Sequence, residues 1–178
     1  GILKGLYRFS GPAEAQVQLL GSGAMVRESL KAGKILAERY GITAAVWSAT
    51  SYKTLYRDVC SVERHNRIHP GAPPQETYLH RCLGPTQGPI VAASDYVRAL
   101  PNCVSREFGA RWQTLGTDGF GRSDGRLALR RFFGVDAAAI AYAALQGLAR
   151  EGHVETQRLV TAAEELGIDR DERDPEDR

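Results

Sequence analysis

The chain has 178 residues, of which 43% are hydrophobic and 25% charged, so it is long enough for one domain with its own buried core. Its 23 Lys and Arg residues nearly balance its 21 Asp and Glu residues, and the two signs are interspersed, which excludes nucleic acid as an expected partner. No apolar run approaches the roughly 20 residues that span a bilayer, so we expect no membrane partner. Three cysteines without framework spacing, and no secretory leader at the start, predict a cytoplasmic protein.

Strands and helices alternate in the first half of the sequence. Residues 17–23 form a short apolar run stopped by glycine, which predicts a strand. Residues 24–41 carry apolar side chains at helical spacing, and Gly41 is expected to cap that helix. Residues 42–51 predict a second buried strand, and residues 52–69 predict a second helix closed by a proline.

The second half continues this alternation. Strands are predicted at residues 89–95 and 111–117, separated by a helical stretch that contains a proline. One further helix is predicted to start near Arg126, and two more at residues 137–151 and 154–166. Strands that are apolar on both faces need helices on both sides. We therefore predict an α/β fold, a three-layer αβα sandwich around a mostly parallel sheet of about five strands.

Two glycines stand between the first strand and the first helix, where dinucleotide-binding folds place a pyrophosphate. Gly21 and Gly23 fit that turn, but Val26 occupies the position of the third glycine, and no acidic residue ends the second strand to bind a ribose. A tight turn with Ser22 or Gly23 near the helix start is the better interpretation. Gly21, Ser22 and Gly23 are retained as a candidate site for an anion.

Other side chains with chemical potential lack the spacing that their chemistry needs. His65 and His69 are four residues apart, with Cys60 before them and His80 and Cys82 after them, but the glutamate of the zinc metalloprotease motif is missing. The serine and aspartate that follow the third strand do not form a nucleophile elbow. We therefore predict no metal site and no catalytic residue in this chain.

Residues 115–133 combine closely spaced glycines with aspartates and arginines, which is typical either of an anion-binding loop or of a turn. The run around Asp118 is similar to the Gly-Asp-Gly start of the magnesium and diphosphate site of thiamine-dependent enzymes, but no Asn follows Asn102 to supply another metal ligand. We favour the turn. Ser123 or Asp124 is expected to cap the following helix, and two phenylalanines to anchor it on the sheet.

Six segments of the chain carry a family resemblance. They read GILKGLYRF, VQLLGSGAMVRE, VWSATSYKTLYRD, VERHNRIHP, ASDYVRAL and LGTDGFGRSDGRLALRRFFGVDAAAIAYAAL. In this order and spacing they resemble the C-terminal domain of the homodimeric bacterial pyruvate dehydrogenase decarboxylating component. The Gly-x-Asp-Gly-Phe-Gly-Arg-Ser-Asp run is the most specific part, and FGRSD with its following helix is also similar to the third domain of transketolases.

The resemblance implies an enzyme whose chemistry belongs to a cofactor. In that family, thiamine diphosphate and magnesium bind between the first two domains of a dimer, pyruvate is oxidatively decarboxylated, and the two-carbon unit passes to lipoyl groups of the dihydrolipoyl acetyltransferase core. Those domains would lie outside this chain, so no catalytic or cofactor-binding residue is assigned here and the isolated chain is expected to be inactive. The implied location is the bacterial cytoplasm.

The resemblance also implies domain boundaries. Residues 1–15 correspond to a connecting segment from the preceding domain, and residues 16–168 to the transketolase C-terminal-like domain. Residues 169–178 are charged and lack any large apolar side chain, so we expect a disordered tail.

The implied role of this domain is contact with other parts of the enzyme. Its expected partners are the remaining domains, the dimer mate and the acetyltransferase core. Loops at the carboxyl ends of parallel strands are the natural surface for such contacts, and our candidates there are Asp118, Phe120, Arg122, Ser123 and Asp124. Arg122 is expected to form a charge-assisted pair across the contact. The alternative is a stand-alone regulatory module that binds an anion or a peptide at the same place.

Overall fold

A computed structural model describes residues 1–172 and residue 175. The strands are β1 (Leu6–Ser10), β2 (Val17–Gly21), β3 (Ala44–Ala49), β4 (Ile90–Ala93) and β5 (Trp112–Leu115). The α-helices are α1 (Met25–Tyr40), α2 (Tyr52–Ile68), α3 (Tyr78–Leu83), α4 (Ala99–Asn102), α5 (Arg126–Phe132), α6 (Ala137–Arg150) and α7 (Thr156–Glu165). Short 3₁₀ helices lie at Ile2–Lys4, Ser105–Glu107 and Gly109–Arg111. Our prediction of a disordered tail at residues 169–178 falls partly outside the described residues.

The five strands form one sheet in the order β1-β3-β2-β4-β5. Strands β2, β3, β4 and β5 run parallel, whereas β1 pairs antiparallel with β3 at one edge. The predicted fold class, an α/β sandwich around a mostly parallel sheet of five strands, is confirmed.

Alternate positions along the strands build two separate cores. Leu19 and Val91 pack on one face of the sheet with apolar side chains of α1, α6 and α7. Leu20 and Ala92, one position further along the same strands, pack on the opposite face with side chains of α2 and α3. Because neighbouring residues of a strand point to opposite faces, each apolar run supplies both cores. The sheet is therefore the middle of three layers.

Strand β1 lies within the segment that we expected to connect this domain to a preceding one. Residues 6–10 pair with β3, and Leu6 is fully buried opposite Ala49. The other four residues of β1 are half-buried or exposed. An edge strand of this kind lacks the mostly apolar, buried run that marks the central strands β2, β3 and β4, so its sequence signal is weak.

The helix ends show one confirmed prediction and one error. Gly41 ends α1 with a φ of 68°, as predicted for a C-terminal glycine cap. The prediction that Ser123 or Asp124 caps α5 is wrong, because the N-cap is Gly125 and no side chain bonds to the helix start. Asp124 instead accepts a hydrogen bond from the adjacent Gly125 N–H through Oδ1, at 2.5 Å.

One stretch among the described residues, Arg126–Arg150, is apolar and long enough to cross a membrane by length and composition alone. The structure divides it into α5 and α6 at Gly134, where φ is 60°. Helix α6 lies in the core, with Ile140 and Leu145 buried. The apolar composition of this stretch thus fits a core helix.

Candidate functional site

The loops that follow β2, β4 and β5 meet at one end of the sheet. The Ser22 N–H donates to the Ala93 carbonyl at 3.1 Å, and the Thr117 N–H donates to the Tyr96 carbonyl at 3.0 Å. The Tyr96 hydroxyl also donates to Ser22 Oγ at 2.7 Å. We call this end of the sheet the carboxyl edge, and it is built by residues 1–5, 22–24, 50–51, 94–98 and 116–127.

Asp118 faces inward at the carboxyl edge. Its side chain is 13% exposed and accepts two bonds from Arg98, one from the backbone N–H at 2.8 Å and one from the guanidinium Nε. Burial acts to raise the pKa of this carboxyl, but the bonds and charge of Arg98 outweigh burial and hold the pKa below its usual value. Asp118 thus fastens its own loop to the segment that leaves β4.

The residues after Asp118 lie at the surface, and residues 119–128 are all exposed. The Phe120 side chain is 93% exposed and that of Leu127 is 74% exposed. The guanidinium of Arg122 lies 5.0 Å from the centre of the Phe132 ring. Ser123 and Asp124 lie in the same exposed run. Four of the five predicted contact residues are therefore exposed on one loop, whereas the Asp118 side chain is largely buried.

Exposed apolar side chains are concentrated at this edge. Ten large apolar or aromatic side chains are exposed in the described part of the chain. Six of them lie at the carboxyl edge or within α4 and α5 beside it, namely Ile2, Leu3, Val97, Leu100, Phe120 and Leu127. Ile2 belongs to this group because its carbonyl accepts a bond from Thr50, just past the end of β3. Clustered exposed apolar side chains are typical of a contact surface.

The turn between β2 and α1 is determined by packing. A Cβ on Gly21 would lie 2.5 Å from the Val26 nitrogen, so only glycine lets the strand approach the helix this closely. Gly23 has a φ of 54° and faces open space. Ser22 uses its N–H and its hydroxyl within the protein. Of the three predicted anion-site residues, only Gly23 is exposed.

Sequence reasoning missed one spacing in the exposed loop. Residues 121–125 read Gly-Arg-Ser-Asp-Gly, which has the Gly-x-Ser-x-Gly spacing of a nucleophile elbow. Such an elbow places the serine directly at the end of a strand, whereas β5 ends at Leu115, well before Ser123. No described residue other than glycine has a positive φ, and no described histidine bonds to Ser123. The spacing therefore occurs here without elbow geometry.

The histidines that we considered as metal ligands interact with other protein side chains, and the His80 ring also stacks on that of Phe108 with the centres 5.7 Å apart. The His65 and His69 rings stack with their centres 4.2 Å apart, and His80 Nδ1 lies 2.7 Å from Glu76 Oε1. Within the described ranges, no group of three or more His, Cys, Asp or Glu residues is arranged to hold a metal ion.

Comparison with known proteins identifies the family. Residues 5–136 match the model of the transketolase-like TK C-terminal domain. The chain belongs to this family. The pyruvate dehydrogenase E1 component of Pseudomonas aeruginosa is 42% identical to this TK C-terminal domain over 181 residues, covering 99% of the chain and 20% of that protein. The E1 component of Escherichia coli is 38% identical over 178 residues, covering 98% of the chain and 20% of that protein.

These relatives confirm the resemblance to bacterial pyruvate dehydrogenases that the sequence motifs indicate. The TK C-terminal domain spans about one fifth of the length of these curated relatives. Solved structures agree on the fold. Transketolase from Leishmania mexicana has a TM-score of 0.56 at 20% identity, over 84% of this chain and 19% of that one. Transketolase from Campylobacter jejuni has a TM-score of 0.57 at 19% identity, over 82% and 19%.

Proposed function

We propose that this chain is the C-terminal part of a thiamine-diphosphate-dependent pyruvate dehydrogenase E1 component, where it supplies contacts between domains and between subunits. The whole enzyme would decarboxylate pyruvate oxidatively in the bacterial cytoplasm and pass the acetyl group to a dihydrolipoyl acetyltransferase core. The similarity to E1 components over almost the entire chain supports this assignment.

The described residues do not fit a site for thiamine diphosphate and magnesium. A magnesium ion that binds a diphosphate needs several oxygen ligands from the protein. Asp118, the acidic residue of the run that is similar to a diphosphate motif, gives both carboxylate oxygens to Arg98. No cluster of acidic or metal-binding side chains lies elsewhere among the described residues. This supports an enzyme whose cofactor and catalytic residues lie outside this chain, which alone would be inactive.

The observation that carries the contact role is the concentration of exposed apolar side chains at the carboxyl edge. Phe120 and Leu127 would insert into the neighbouring domain or subunit, with Arg122, Ser123 and Asp124 around them as a polar rim. Asp118 would act as a positioning residue, because it holds the base of this loop on Arg98. Residues 1–5, which we expect to follow a preceding domain, lie at the same edge.

Charge substitution in the full-length enzyme tests this role. Phe120→Glu and Leu127→Glu are each expected to weaken dimerisation or domain docking by about tenfold, because a buried carboxylate replaces apolar contact. The measurements are the dimer dissociation constant from analytical ultracentrifugation and the thermal midpoint of unfolding.

Ile68→Glu is the matched control for these variants. Ile68 is 55% exposed and ends α2, which begins at the carboxyl edge and runs about 25 Å towards the opposite edge. A dimer and a thermal midpoint that stay unchanged in both Phe120→Glu and Leu127→Glu, or that change equally in Ile68→Glu, would contradict the proposed contact.

A further inference from the structure

A cavity of about 520 Å³ opens at the carboxyl edge, between the start of α1 and helix α5. Three arginines, Arg122, Arg126 and Arg130, line it together with Ala24 at the start of α1. Leu129, Phe133 and Val135 supply apolar wall, and Thr117 and Asp95 supply polar wall. Its size is within the range of small-molecule sites in proteins.

Arg130 is fixed in this wall by a buried carboxylate. The Glu28 side chain is 4% exposed, and its Oε1 accepts bonds from Arg130 Nη1 at 2.8 Å and from Lys31 Nζ at 2.9 Å. The Arg130 side chain is only 13% exposed, and of its side-chain N–H groups only one, on Nη1, bonds to a described residue. The other two guanidinium nitrogens are not fully buried. Its remaining donors are therefore accessible, and the residue lines the cavity.

Arg126 adds a second positive charge on the same side of α5. It lies four residues before Arg130, so the two guanidinium groups project from neighbouring turns of one helix face. Arg126 is exposed and makes no hydrogen bond or ion pair with a described residue. Like charges at this spacing destabilise a helix. An anion between Arg126 and Arg130 would remove that repulsion.

The start of α1 reinforces the positive field. No side chain caps the sixteen-residue helix, and its first three N–H groups, at residues 25–27, bond to the carbonyls of residues 22–24. The helix therefore offers the cavity, which Ala24 lines, the positive end of its dipole and no free N–H donor. Asp95 and the buried Glu28 oppose this charge. Arg126, Arg130 and Lys31, which shares Glu28 with Arg130, outnumber these two carboxylates by one charge, and the helix dipole adds to it.

We propose that this cavity binds a small phosphorylated ligand. The phosphate would lie between Arg126, Arg130 and the start of α1, and the rest of the ligand against the apolar wall of Leu129 and Phe133. The proposal does not depend on the contact role proposed above, because every lining residue belongs to this chain. It places the anion beside the predicted Gly21–Gly23 turn, at two arginines of the 115–133 run that we interpreted from the sequence as a turn.

Isothermal titration calorimetry of the 178-residue chain with inorganic pyrophosphate in low salt tests the phosphate subsite. Saturable binding of one pyrophosphate per chain is expected, and Arg126→Gln should weaken it about tenfold because one charge-assisted contact is lost. Arg67→Gln is the matched control, since Arg67 is exposed on α2 and bonds to no described residue. Absence of saturable binding, or equal weakening in Arg67→Gln, would overturn the proposal.

A second pair of measurements addresses Arg130 and the apolar wall. Arg130→Gln alone leaves the buried Glu28 with Lys31 as its one remaining described cation, so the variant is Glu28→Gln combined with Arg130→Gln, with folding checked by circular dichroism. This folded double variant should also bind pyrophosphate at least tenfold more weakly. Phenyl phosphate should bind more tightly than inorganic phosphate, because its ring contacts Leu129 and Phe133. Equal affinity for the two compounds would contradict the assigned wall.

Discussion

Tyr52 and Tyr78, the first residues of α2 and α3, differ in the hydrogen bonding of their hydroxyl groups. The Tyr52 hydroxyl is buried and has no hydrogen-bond partner among the described residues. Burial raises the pKa of Tyr52 well above its usual value, so this phenol stays neutral. The Tyr78 hydroxyl, in contrast, donates to the Leu6 carbonyl at 2.8 Å and ties α3 to β1.

This difference predicts opposite effects of removing each hydroxyl. Tyr52→Phe should leave the free energy of unfolding unchanged or raise it by about 1 kcal/mol, because an unpaired polar group is removed. Tyr78→Phe should lower the free energy of unfolding by about 1 kcal/mol, because the Leu6 carbonyl loses its donor. Urea unfolding followed by circular dichroism measures both. A clear loss of stability in Tyr52→Phe would show that its hydroxyl has a partner.

The pair of Asp118 and Arg98 predicts a dependence on pH. The folded pKa of Asp118 is lowered, so the pair contributes stability that is fully present above the unfolded pKa of about 3.9 and is lost as pH falls through the folded pKa. Asp118→Asn should therefore cost about 1–2 kcal/mol at pH 7, and the difference from wild type should shrink in acid. Urea titrations at pH 7 and pH 3 measure this, and a difference independent of pH would contradict it.

At the scale of elements, α5 is held by few contacts. None of its residues is buried. Two of its arginines tie it to the rest of the fold: Arg130 pairs with the buried Glu28 of α1, and Arg131 donates to the Gly167 carbonyl after α7. Phe133, directly after the helix, is half-buried and packs on the α1 and α6 core, while Phe132 meets it edge to face at 5.0 Å. The predicted anchoring by two phenylalanines thus comes from Phe133 and, through it, from Phe132.

Removing the charge of Glu28 should therefore release α5 before it affects the sheet. Glu28→Gln is expected to lower the free energy of unfolding by about 2 kcal/mol, because Arg130 and Lys31 lose a buried partner. Amide hydrogen exchange at residues 126–132 should accelerate while β2 and β4 stay protected. Glu63→Gln, which breaks the exposed pair with Arg106, is the control and should change neither. Unchanged exchange in α5 of Glu28→Gln would contradict this role.

The sequence predicts the central strands β2, β3 and β4 well, because strands covered on both faces are mostly apolar runs. Strand β1 is missed, since only Leu6 of its five residues is buried. The pairing of Arg130 with Glu28 is also beyond sequence reasoning, because 102 residues separate the partners and charged residues elsewhere on the helices look the same. Asp118 is recognised as unusual, but its partner Arg98 depends on how the loops after β4 and β5 meet.

At the scale of the whole molecule, the sheet and its two hydrophobic cores are built from the described residues of this chain. Both cores and all five strands lie within residues 6–166. We therefore expect the isolated chain to fold and yet neither bind thiamine diphosphate nor decarboxylate pyruvate. Titration calorimetry with thiamine diphosphate and magnesium should show no saturable heat. Micromolar binding would contradict the assignment of the cofactor to other domains.

The loop from Thr117 to Phe120 borders two proposed sites at once. Thr117 and Gly119 line the cavity proposed to bind a phosphorylated ligand, while the Phe120 side chain beside them is exposed. If the phosphorylated ligand and the outward contact each favour one arrangement of this loop, the ligand alters the affinity of the contact. Reciprocity then requires the contact to alter the affinity of the ligand by the same factor. Assembly of the enzyme and occupancy of the cavity would be thermodynamically coupled.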